Sequence, residues 1–531
     1  MLFKKIGKLP AYEGEERVDV RSVNDYVTRE GERYVFTPPD WIEDLIIVEA
    51  NIAKVTKEGT VAAGTQVLDH LAQMGVNGLW LTPIFDNEGN ANKVSHYGNR
   101  GPHTFGADCF RATSHEKRKK ELRRFIKEAH RRNIYVFIDV VTYGALVTSP
   151  MYQAYINGEK FEGMDVSDWF TGKPAFSGYR YDWKSRGLRE WFADRMVDLI
   201  KEYGFDGFRV DSEPSYLWFD GDGDGVADTY ADIFTDVRLR VAGFEKDGNG
   251  GYVYPRDGEG RKLVIFSEKN NLREYAYDFE QMGVIHYGEE LTIGFQLSPE
   301  TRKDWFFERD MVSSVKQGNI ADGRWFTERL KVGENFKNCF KYYSYCLSNH
   351  DTHSTFINKR LSAPLYQAIF APFIPIWYYG EECGFVDGDN AWLNSKSINI
   401  RRLLSKKENR AFYKKFKKGI RIRRKYPELF RVFPDDIRDT NLAHVDVSDG
   451  AVAYSRYCED KMAIIAARPK EEGCEVTLSF EWKCKGTAPH MAEELISGRK
   501  YPVTSGGNRL TVSHVPIDGN GVIALLLRIS C

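Results

Sequence analysis

Three acidic residues stand directly after short apolar runs at widely separated places in the chain. Asp211 closes GFDGFRVD, Glu268 follows LVIFS, and Asp351 closes YCLSNHD. Two carboxyl groups about 5 Å apart can cleave a glycosidic bond with retention, because one attacks the anomeric carbon while the other protonates the leaving oxygen. A single acid at a strand end more often caps a helix or faces solvent. Three in order, with an arginine and an Asn-His pair beside them, favour catalysis.

The residues next to these acids would give the carboxyl groups of Asp211 and Glu268 different pKa values. Arg209 lies two residues before Asp211, on the same side of a strand, where its charge can keep that carboxylate ionised. Glu268 follows the apolar run LVIF, and burial beside a negative charge raises the pKa of a carboxyl so that it can act as an acid near neutral pH. The sequence therefore favours an ionised Asp211 beside a protonated Glu268.

Eight short β-rich runs, alternating with charged amphipathic helices, would position these acids. Eight parallel strands with helices between them close most naturally into a (β/α)8 barrel, an α/β fold, and a doubly wound open sheet is the alternative. In a barrel the C-terminal strand ends share one pocket, and the acids follow strands four, five and seven. The predicted strands are 45–48, 78–81, 134–138, 207–210, 263–266 and 374–377, with weaker ones near 291–296 and 343–348.

Changes in the sequence pattern predict three parts. Residues 1–40 form an extended or hairpin-like N-terminal lead-in, and residues 41–428 form the barrel. From 429 to 531, β-branched and aromatic runs alternate with Gly, Asp and Asn turns, which predicts a C-terminal antiparallel β-sandwich. Residues 142–187 are too many for a simple βα loop and predict a small inserted lobe over the active face.

Residues 220–228 read DGDGDGVAD and predict a calcium loop. A hard cation takes several oxygen ligands at about 2.4 Å, and acids at positions 1, 3, 5 and 9 with Gly at 6 give an EF-hand-like spacing. Without a cation the acids would repel one another, although a solvated acidic turn is the alternative. The expected ligands of a structural Ca2+ are Asp220, Asp222, Asp224, Asp228 and the backbone carbonyl of Val226.

Charge and hydropathy exclude several partners. Lys+Arg 75 against Asp+Glu 76 gives a net charge of -1, so no overall basic field would gather nucleic acid or anionic lipid. The sequence contains no run of about 18 apolar residues, so no membrane span is predicted. The N-terminus shows no apolar signal segment. We expect a cytoplasmic protein, with export open if a leader is absent from this chain. The eight cysteines are expected to be reduced, and Cys474 and Cys484 would bridge only after export.

At these residues the sequence resembles the α-amylase family, glycoside hydrolase family 13. GFRVDSEP looks like the second motif of the family, FSEKNN like the third and CLSNHD like the fourth, in the expected order. LAQMGVNGLWLTPIFD, EAHRRNIYVFIDVV and FAPFIPIWYYGEECG resemble its second, third and eighth strand segments, so the likeness runs from about residue 40 to 430.

The resemblance implies a retaining hydrolase that cleaves α-glucosidic bonds in starch-like or malto-oligosaccharide substrates through a covalent glycosyl-enzyme intermediate. Asp211 would be the nucleophile, Glu268 the acid/base, and Asp351 the residue that grips the sugar hydroxyls as the ring distorts. Arg209 and the Asn349–His350 pair would complete the subsite. An α-glucan transglycosylase is the near alternative, because a sugar hydroxyl can intercept the same intermediate. A non-catalytic carbohydrate-binding protein on the same fold is the second alternative.

The first motif departs from the family pattern. It usually reads Asp-x-x-x-Asn-His, but here DVVTYG places Tyr143 and Gly144 where the Asn and the substrate-binding His are expected. Tyr143 would serve as a hydroxyl donor or a stacking ring for substrate, and the alternative is a structural tyrosine. In SHYGNRGPHTFGADCF, Tyr97 and Phe105 are both candidates for the ring beneath the scissile sugar, and either could instead pack in the core.

Overall fold

The structure is a computed structural model that describes most of the barrel, an inserted lobe and a C-terminal β region. The described residues are 39–87, 97–106, 109–174, 178–211, 231–241, 263–267, 344–347, 349–350, 361–385, 397–431, 441–468 and 470–529, with short pieces at 17–18, 218–219, 228–229, 243, 245–246, 252–253 and 296–297.

Eight parallel strands form one sheet. Consecutive strands pair from the first to the fifth and from the sixth to the eighth, and the eighth pairs with the first, which is the strand order of a (β/α)8 barrel and not of a doubly wound sheet. The predicted fold class is confirmed. The strands are β1 Ile47–Ala50, β2 Gly78–Leu81, β3 Tyr135–Val141, β4 Gly207–Asp211, β5 Val264–Ser267, β6 Gln296–Leu297, β7 Ser344–Cys346 and β8 Ile374–Tyr378.

The alternation of side chains along each strand separates the barrel interior from the layer beneath the helices. Ile47, Trp80, Phe137, Val264 and Phe266 belong to one buried cluster, the barrel interior. Their sequence neighbours belong to a second, larger cluster that includes the helices. Since successive strand residues point to opposite faces, residues two positions beyond an interior residue also face the interior.

Close contact between β4 and β5 requires a glycine. A Cβ built on Gly207 would lie 1.7 Å from the carbonyl oxygen of Val264, its partner in the parallel ladder. No side chain fits there, because real Cβ atoms do not approach backbone that closely. Gly207, the second glycine in GFDGFRVD, thus lets β4 and β5 pair at the start of β4, four residues before Asp211.

Amphipathic helices cover the outside of the sheet. The first turn of the first helix is capped by Thr60, whose hydroxyl accepts a hydrogen bond from the Ala63 amide, and Ser185 caps the fourth helix through the Leu188 amide. Buried residues recur every three or four positions along these helices, as expected for one apolar face. The helices are α1 Val61–Met74, α2 His115–His130, α3 Pro150–Asn157, α4 Arg186–Asp198, α5 Ala231–Val241, α6 Ile400–Ser405, α7 Lys407–Lys425 and α8 Pro427–Phe430.

Between β3 and α4 the chain forms a small lobe with its own three-stranded antiparallel sheet. Its strands are Gly144–Leu146, Phe170–Pro174 and Gly178–Tyr181, with the last strand in the middle. Helix α3 packs on this sheet through aromatic rings, including a stacked Tyr152–Tyr179 pair at 4.4 Å. The lobe thus starts three residues after the end of β3, directly beside the C-terminal end of the barrel.

The C-terminal region is an antiparallel sheet of nine strands folded on itself. The first strand of this sheet pairs with the second through its first half and with the fourth through its second half, so the two parts of the sheet enclose a common apolar cluster. Cys474 and Cys484 are both free thiols in this region. The strands are β9 Leu442–Val447, β10 Val452–Tyr457, β11 Lys461–Ala467, β12 Cys474–Glu481, β13 Met491–Glu494, β14 Lys500–Pro502, β15 Thr504–Gly506, β16 Arg509–Ile517 and β17 Val522–Arg528.

In the described part of the chain, none of the helices combines the length and the hydrophobicity that a membrane-spanning helix needs.

Candidate active site

Charged side chains gather at the C-terminal ends of the first, third and fourth barrel strands. Glu49 lies two residues after interior Ile47, and Asp139 two residues after interior Phe137, so the strand alternation points both into the barrel. On β4, Phe208 and Val210 pack in the outer cluster. Arg209 and Asp211 therefore face inward as well. All four side chains are buried.

Arg209 bridges the carboxylates of two neighbouring strands. Its Nη1 lies 2.5 Å from Asp211 Oδ1 and 3.2 Å from each carboxylate oxygen of Asp139. The guanidinium also lies 5.1 Å from the centre of the Trp80 ring, within cation–π distance. A buried charge needs a paired partner, and here one cation holds two anions. The predicted pairing of Arg209 with Asp211 is present in the structure.

Asp139 Oδ2 accepts two further hydrogen bonds. Trp80 Nε1 donates at 3.0 Å and the Tyr97 hydroxyl at 2.7 Å. Complete burial raises the pKa of Asp139 to about 6, although Arg209, the Tyr97 hydrogen bond and His350 all act to lower it. Burial also raises the pKa of Tyr97 well above its usual value, with the charge of Asp139 adding to the rise. The phenol therefore stays protonated and donates.

His350 is held between Glu49 and Tyr97. Its backbone amide donates to Glu49 Oε2 at 3.0 Å, and its Nδ1 lies 2.6 Å from Glu49 Oε1. The imidazole stacks on the Tyr97 ring with centroids 4.4 Å apart. Because two acceptors, the Glu49 carboxylate and the Tyr97 oxygen, face Nδ1, that nitrogen carries the proton. The predicted subsite residues Arg209, His350 and Tyr97 are thus in one connected cluster with Asp211.

Tyr143 and Gly144 have structural partners in this chain. The Tyr143 hydroxyl donates to the backbone carbonyl of Tyr97 at 2.9 Å. A Cβ on Gly144 would lie 2.0 Å from the carbonyl oxygen of Tyr179, because the two segments pair in the sheet of the lobe. The backbone therefore has no room for a histidine at position 144, and the lobe accounts for its absence.

Two further candidates, Phe105 and Asn349, are buried in the described structure. Phe105 is not part of the carboxylate cluster, because it stacks on Phe85 at 5.9 Å and packs edge-on against Tyr203 in the core. Asn349 is buried next to His350 in the chain. Of the two aromatic candidates for the sugar-binding ring, the structure therefore brings only Tyr97 to the acids.

The site residues predicted from the sequence do not include Glu49 and Trp80, and Asp139 enters that prediction only as the first residue of DVVTYG. A signal for Glu49 exists in the sequence, because an acid follows the apolar run LIIV at the end of the first strand. The same signal places Asp139 after YVFI. An acid inside an otherwise apolar strand is costly unless it is paired, so each such acid indicates a buried partner.

Several predicted residues lie outside the described part of the chain. They are Glu268, Asp351, Asp220, Asp222, Asp224 and Val226. The backbone of Asp228 is described and pairs with Phe219 in a two-residue antiparallel ladder, so the residues that flank 220–227 lie next to each other. Ser267, the residue before Glu268, pairs with Val210, the residue before Asp211.

The barrel and its cluster of buried acids define the class of protein as a (β/α)8 barrel with a charged, carboxylate-containing C-terminal end. Within that class, residues 44–180 match the family model described as the α-amylase catalytic domain. The resemblance to the α-amylase family, glycoside hydrolase family 13, is thereby confirmed.

Curated relatives match at low identity. The α-amylase MalA of Haloarcula japonica is 24% identical over 305 residues, which cover 49% of this chain and 42% of that protein. A malto-oligosyltrehalose trehalohydrolase of Saccharolobus solfataricus is 24% identical over 366 residues, or 64% of this chain and 57% of the relative. The chain thus matches less than two thirds of the length of these curated relatives.

Solved structures match over almost the whole chain and support the fold. A noncanonic maltogenic α-amylase of Thermotoga neapolitana superposes with a TM-score of 0.62 at 16% identity, covering 92% of this chain and 100% of that one. An α-amylase of Geobacillus thermoleovorans, solved with acarbose, gives a TM-score of 0.63 at 16% identity, with 92% and 99% covered.

Proposed function

We propose that the chain is a retaining glycoside hydrolase that cleaves α-glucosidic bonds in starch-like or malto-oligosaccharide substrates. In this proposal Asp211 is the nucleophile, Glu268 the acid/base and Asp351 the third carboxylate. One observation carries the proposal: Arg209 joins Asp211 to Asp139 at the C-terminal ends of adjacent barrel strands, the end at which barrel enzymes place their active sites.

The nucleophile must be ionised and held in one orientation. Arg209 meets both needs, because its charge favours the ionised form of Asp211 and its Nη1 contacts Oδ1 at 2.5 Å. Asp139 shares the same guanidinium and prevents Arg209 from turning away. In the first step a carboxylate oxygen of Asp211 bonds to the anomeric carbon as the glycosidic bond breaks, which gives a covalent glycosyl-enzyme.

The departing oxygen needs a proton at the same time. Glu268 is the proposed donor, because it follows β5, the neighbour of β4, and the residue before it pairs with the residue before Asp211. In the second step Glu268 takes a proton from water, whose oxygen bonds to the anomeric carbon and releases Asp211. Asp351 and His350 would bind hydroxyl groups of the same sugar, and Glu49 holds His350 in place for that contact.

Tyr97 is the proposed stacking ring. Its hydroxyl is fixed on Asp139 and one face of the ring is against His350. Aromatic rings stack on sugar faces through apolar contact while a polar edge keeps its hydrogen bond. Tyr143, by fixing the Tyr97 carbonyl, acts on that ring from the loop side and is in our proposal a positioning residue.

The relatives support an α-glucan as the substrate class. Besides α-amylases they include a cyclomaltodextrinase of Bacillus sp and an isoamylase of Zea mays, enzymes whose names refer to α-linked glucose polymers or rings. Transglycosylation is the second candidate, since the same intermediate accepts a sugar hydroxyl. Both reactions use the same catalytic acids, so these acids do not favour hydrolysis over transglycosylation.

A structural Ca2+ is part of the proposal. The donor set of the 220–228 loop consists of carboxylates and one carbonyl, the oxygen ligands that calcium prefers. The antiparallel pairing of Asp228 with Phe219 brings the ends of that loop together, as a ligand loop around one ion requires. Asp220, Asp222, Asp224, Asp228 and Val226 would hold the ion, which would steady the segment that follows β4.

The test measures reducing-sugar release from soluble starch, maltotriose, pullulan and cyclodextrin by the wild type and by Glu268→Gln. Activity that is lost in Glu268→Gln but kept in Glu190→Gln, an exposed acid on α4, would support the proposal. A fluorinated glycosyl trap followed by mass spectrometry should then label Asp211. A wild type that is inert on all four substrates and forms no adduct would instead favour a carbohydrate-binding protein.

A further inference from the structure

A cluster of three potential metal ligands lies outside the carboxylate site. It consists of His70 on α1 and of Glu382 and Cys383 in a single turn of 3-10 helix, Glu381–Cys383, that follows β8. The three ligand atoms all lie within 4.8 Å of one another. The chain positions that meet here are more than 300 residues apart, so the cluster exists only because β8 closes next to β1.

The distances between the ligand atoms match a small transition-metal site. Cys383 Sγ lies 3.8 Å from His70 Nε2 and 3.7 Å from Glu382 Oε1. Tetrahedral Zn2+ with bonds of roughly 2.0–2.3 Å holds its ligands about 3.3–3.6 Å apart. His70 Nε2 and Glu382 Oε1 are hydrogen-bonded at 2.7 Å, so an ion would replace that hydrogen bond and move these two atoms apart by roughly half an ångström.

The surrounding structure holds the ligands in place. Glu382 Oε2 accepts hydrogen bonds from Trp377 Nε1 at 3.1 Å and from the Gly380 amide at 2.9 Å, which turns Oε1 toward His70. Such outer hydrogen bonds are typical of metal-binding carboxylates. The imidazole of His70 is itself stacked on Tyr413, with centroids 5.6 Å apart.

Burial and charge also suit a cation. Glu382 and Cys383 are fully buried, whereas the His70 side chain is 14% exposed and offers a path from solvent. Burial, together with the charge of Glu382, raises the pKa of the Cys383 thiol. A bound cation would reverse both effects on the thiol, because a metal-bound cysteine is deprotonated.

We propose that His70 Nε2, Glu382 Oε1 and Cys383 Sγ bind a zinc-class divalent transition-metal ion, with water in the fourth position. A nitrogen, a sulfur and a carboxylate oxygen together favour Zn2+ over Ca2+ or Mg2+, which take oxygen ligands. On binding, the thiol releases its proton to solvent and His70 coordinates in its Nδ1–H form. The ion thus links α1 to the turn after β8.

The position of this site gives it a structural role near the barrel mouth. Tyr379, which lies between β8 and the metal-binding turn, donates its amide to the backbone carbonyl of Glu49 at 2.8 Å. Glu49 in turn holds His350. An ion that fixes the turn would therefore stabilise the end of β8 against β1. None of its three ligands is one of the proposed catalytic residues.

The experiment titrates Co2+, a spectroscopic substitute for Zn2+, into the full chain after metal removal. We expect one equivalent to give a near-ultraviolet thiolate-to-cobalt band, which an oxygen-only calcium loop cannot produce. Cys383→Ser and His70→Asn should each lose the band. Cys458→Ser should keep it, because that half-buried thiol lies directly after β10 in the C-terminal region, beside Asp460.

A thermal readout keeps the proposal testable if one variant folds poorly. Added Zn2+ should raise the melting temperature of the wild type and of Cys458→Ser, and should leave that of His70→Asn unchanged. A wild type with no thiolate band would overturn the proposal. So would a band that survives in both Cys383→Ser and His70→Asn.

Discussion

The hydroxyl of Tyr143 donates a hydrogen bond to the backbone carbonyl of Tyr97 at 2.9 Å. This contact joins the residue that departs from the family pattern to the ring that hydrogen-bonds Asp139. Tyr143 therefore acts from outside the acid cluster, through the backbone of the loop that carries Tyr97. Its partner is protein, which makes it a positioning residue in the proposed mechanism.

Tyr143→Phe should weaken the positioning of Tyr97 while leaving the fold intact. The net value of one such hydrogen bond is about 1 kcal/mol, so we expect kcat/KM on malto-oligosaccharides to fall about 5-fold. Steady-state kinetics of the wild type, Tyr143→Phe and Tyr155→Phe provide the comparison. Tyr155 lies on α3 in the same lobe, and its variant should retain full activity. Equal losses in both variants would mean that the effect comes from the lobe as a whole.

Gly144→His would reinstate the residue type expected from the family motif, but we expect it to damage the protein. A Cβ at position 144 would lie 2.0 Å from the Tyr179 carbonyl oxygen, which is backbone and cannot move alone. Forcing a side chain into packed structure costs about 1–3 kcal/mol or more. Differential scanning fluorimetry should show a lower melting temperature and the activity should not increase.

The control for this substitution is Gly506→His, in β15. A Cβ at Gly506 meets nothing within 4 Å, so the same side chain should be tolerated there. A Gly144→His protein that melts like the wild type and gains activity would contradict the steric explanation for the missing histidine.

Six of the barrel strands could be predicted well because each is a short apolar run, and the alternation of side chains then places Asp211 inside. Arg209 could be assigned to the same side by the same rule. The contact of Glu49 with His350 could not, because it joins residues 301 positions apart and depends on closure of β8 onto β1.

The choice between Tyr97 and Phe105 also required the structure. Both are aromatic residues in one irregular segment, and no periodicity indicates which faces the acids. The structure separates them through polarity, because the Tyr97 hydroxyl reaches Asp139 whereas Phe105 is buried between Phe85 and Tyr203. The reason for Gly144 lies in a strand pairing with residues 178–181, which the sequence of the lobe does not reveal.

Removal of calcium should lower the melting temperature if the 220–228 loop binds the ion. We expect EDTA to destabilise the wild type and added Ca2+ to restore it, because an ion that binds only the folded state stabilises that state. The double variant Asp222→Asn/Asp224→Asn should melt lower without EDTA and should not respond to Ca2+. Unchanged melting in EDTA would contradict the calcium assignment.

Calcium and zinc can be separated in the same assay. His70→Asn should keep the response to Ca2+, because the loop and the His70–Glu382–Cys383 cluster share no residue. Once EDTA has been removed, added Zn2+ should raise the melting temperature of Asp222→Asn/Asp224→Asn but not that of His70→Asn. A single variant that abolishes both responses would show that the two proposed sites are not independent.

Asp139→Asn should remove the anion that shares Arg209 with Asp211. Loss of one preorganised charge near a reacting group costs about 100-fold in rate. We therefore expect a kcat/KM at pH 7 about 100-fold below that of the wild type. Glu190→Gln, which removes an exposed acid, is the control for this measurement.

The pH dependence separates the role of Asp139 from that of the nucleophile. Its pKa is raised from 3.8 to about 6, so the folded protein binds more protons than the unfolded chain between these values. This carboxyl therefore favours the folded state below about pH 4, and its contribution is lost as the pH rises through about 6. Protonation in that range also weakens its hold on Arg209, so activity should fall as the pH drops below about 6. In Asp139→Asn the acid limb of kcat/KM should lie at lower pH, and an unshifted limb would assign the titration to another group.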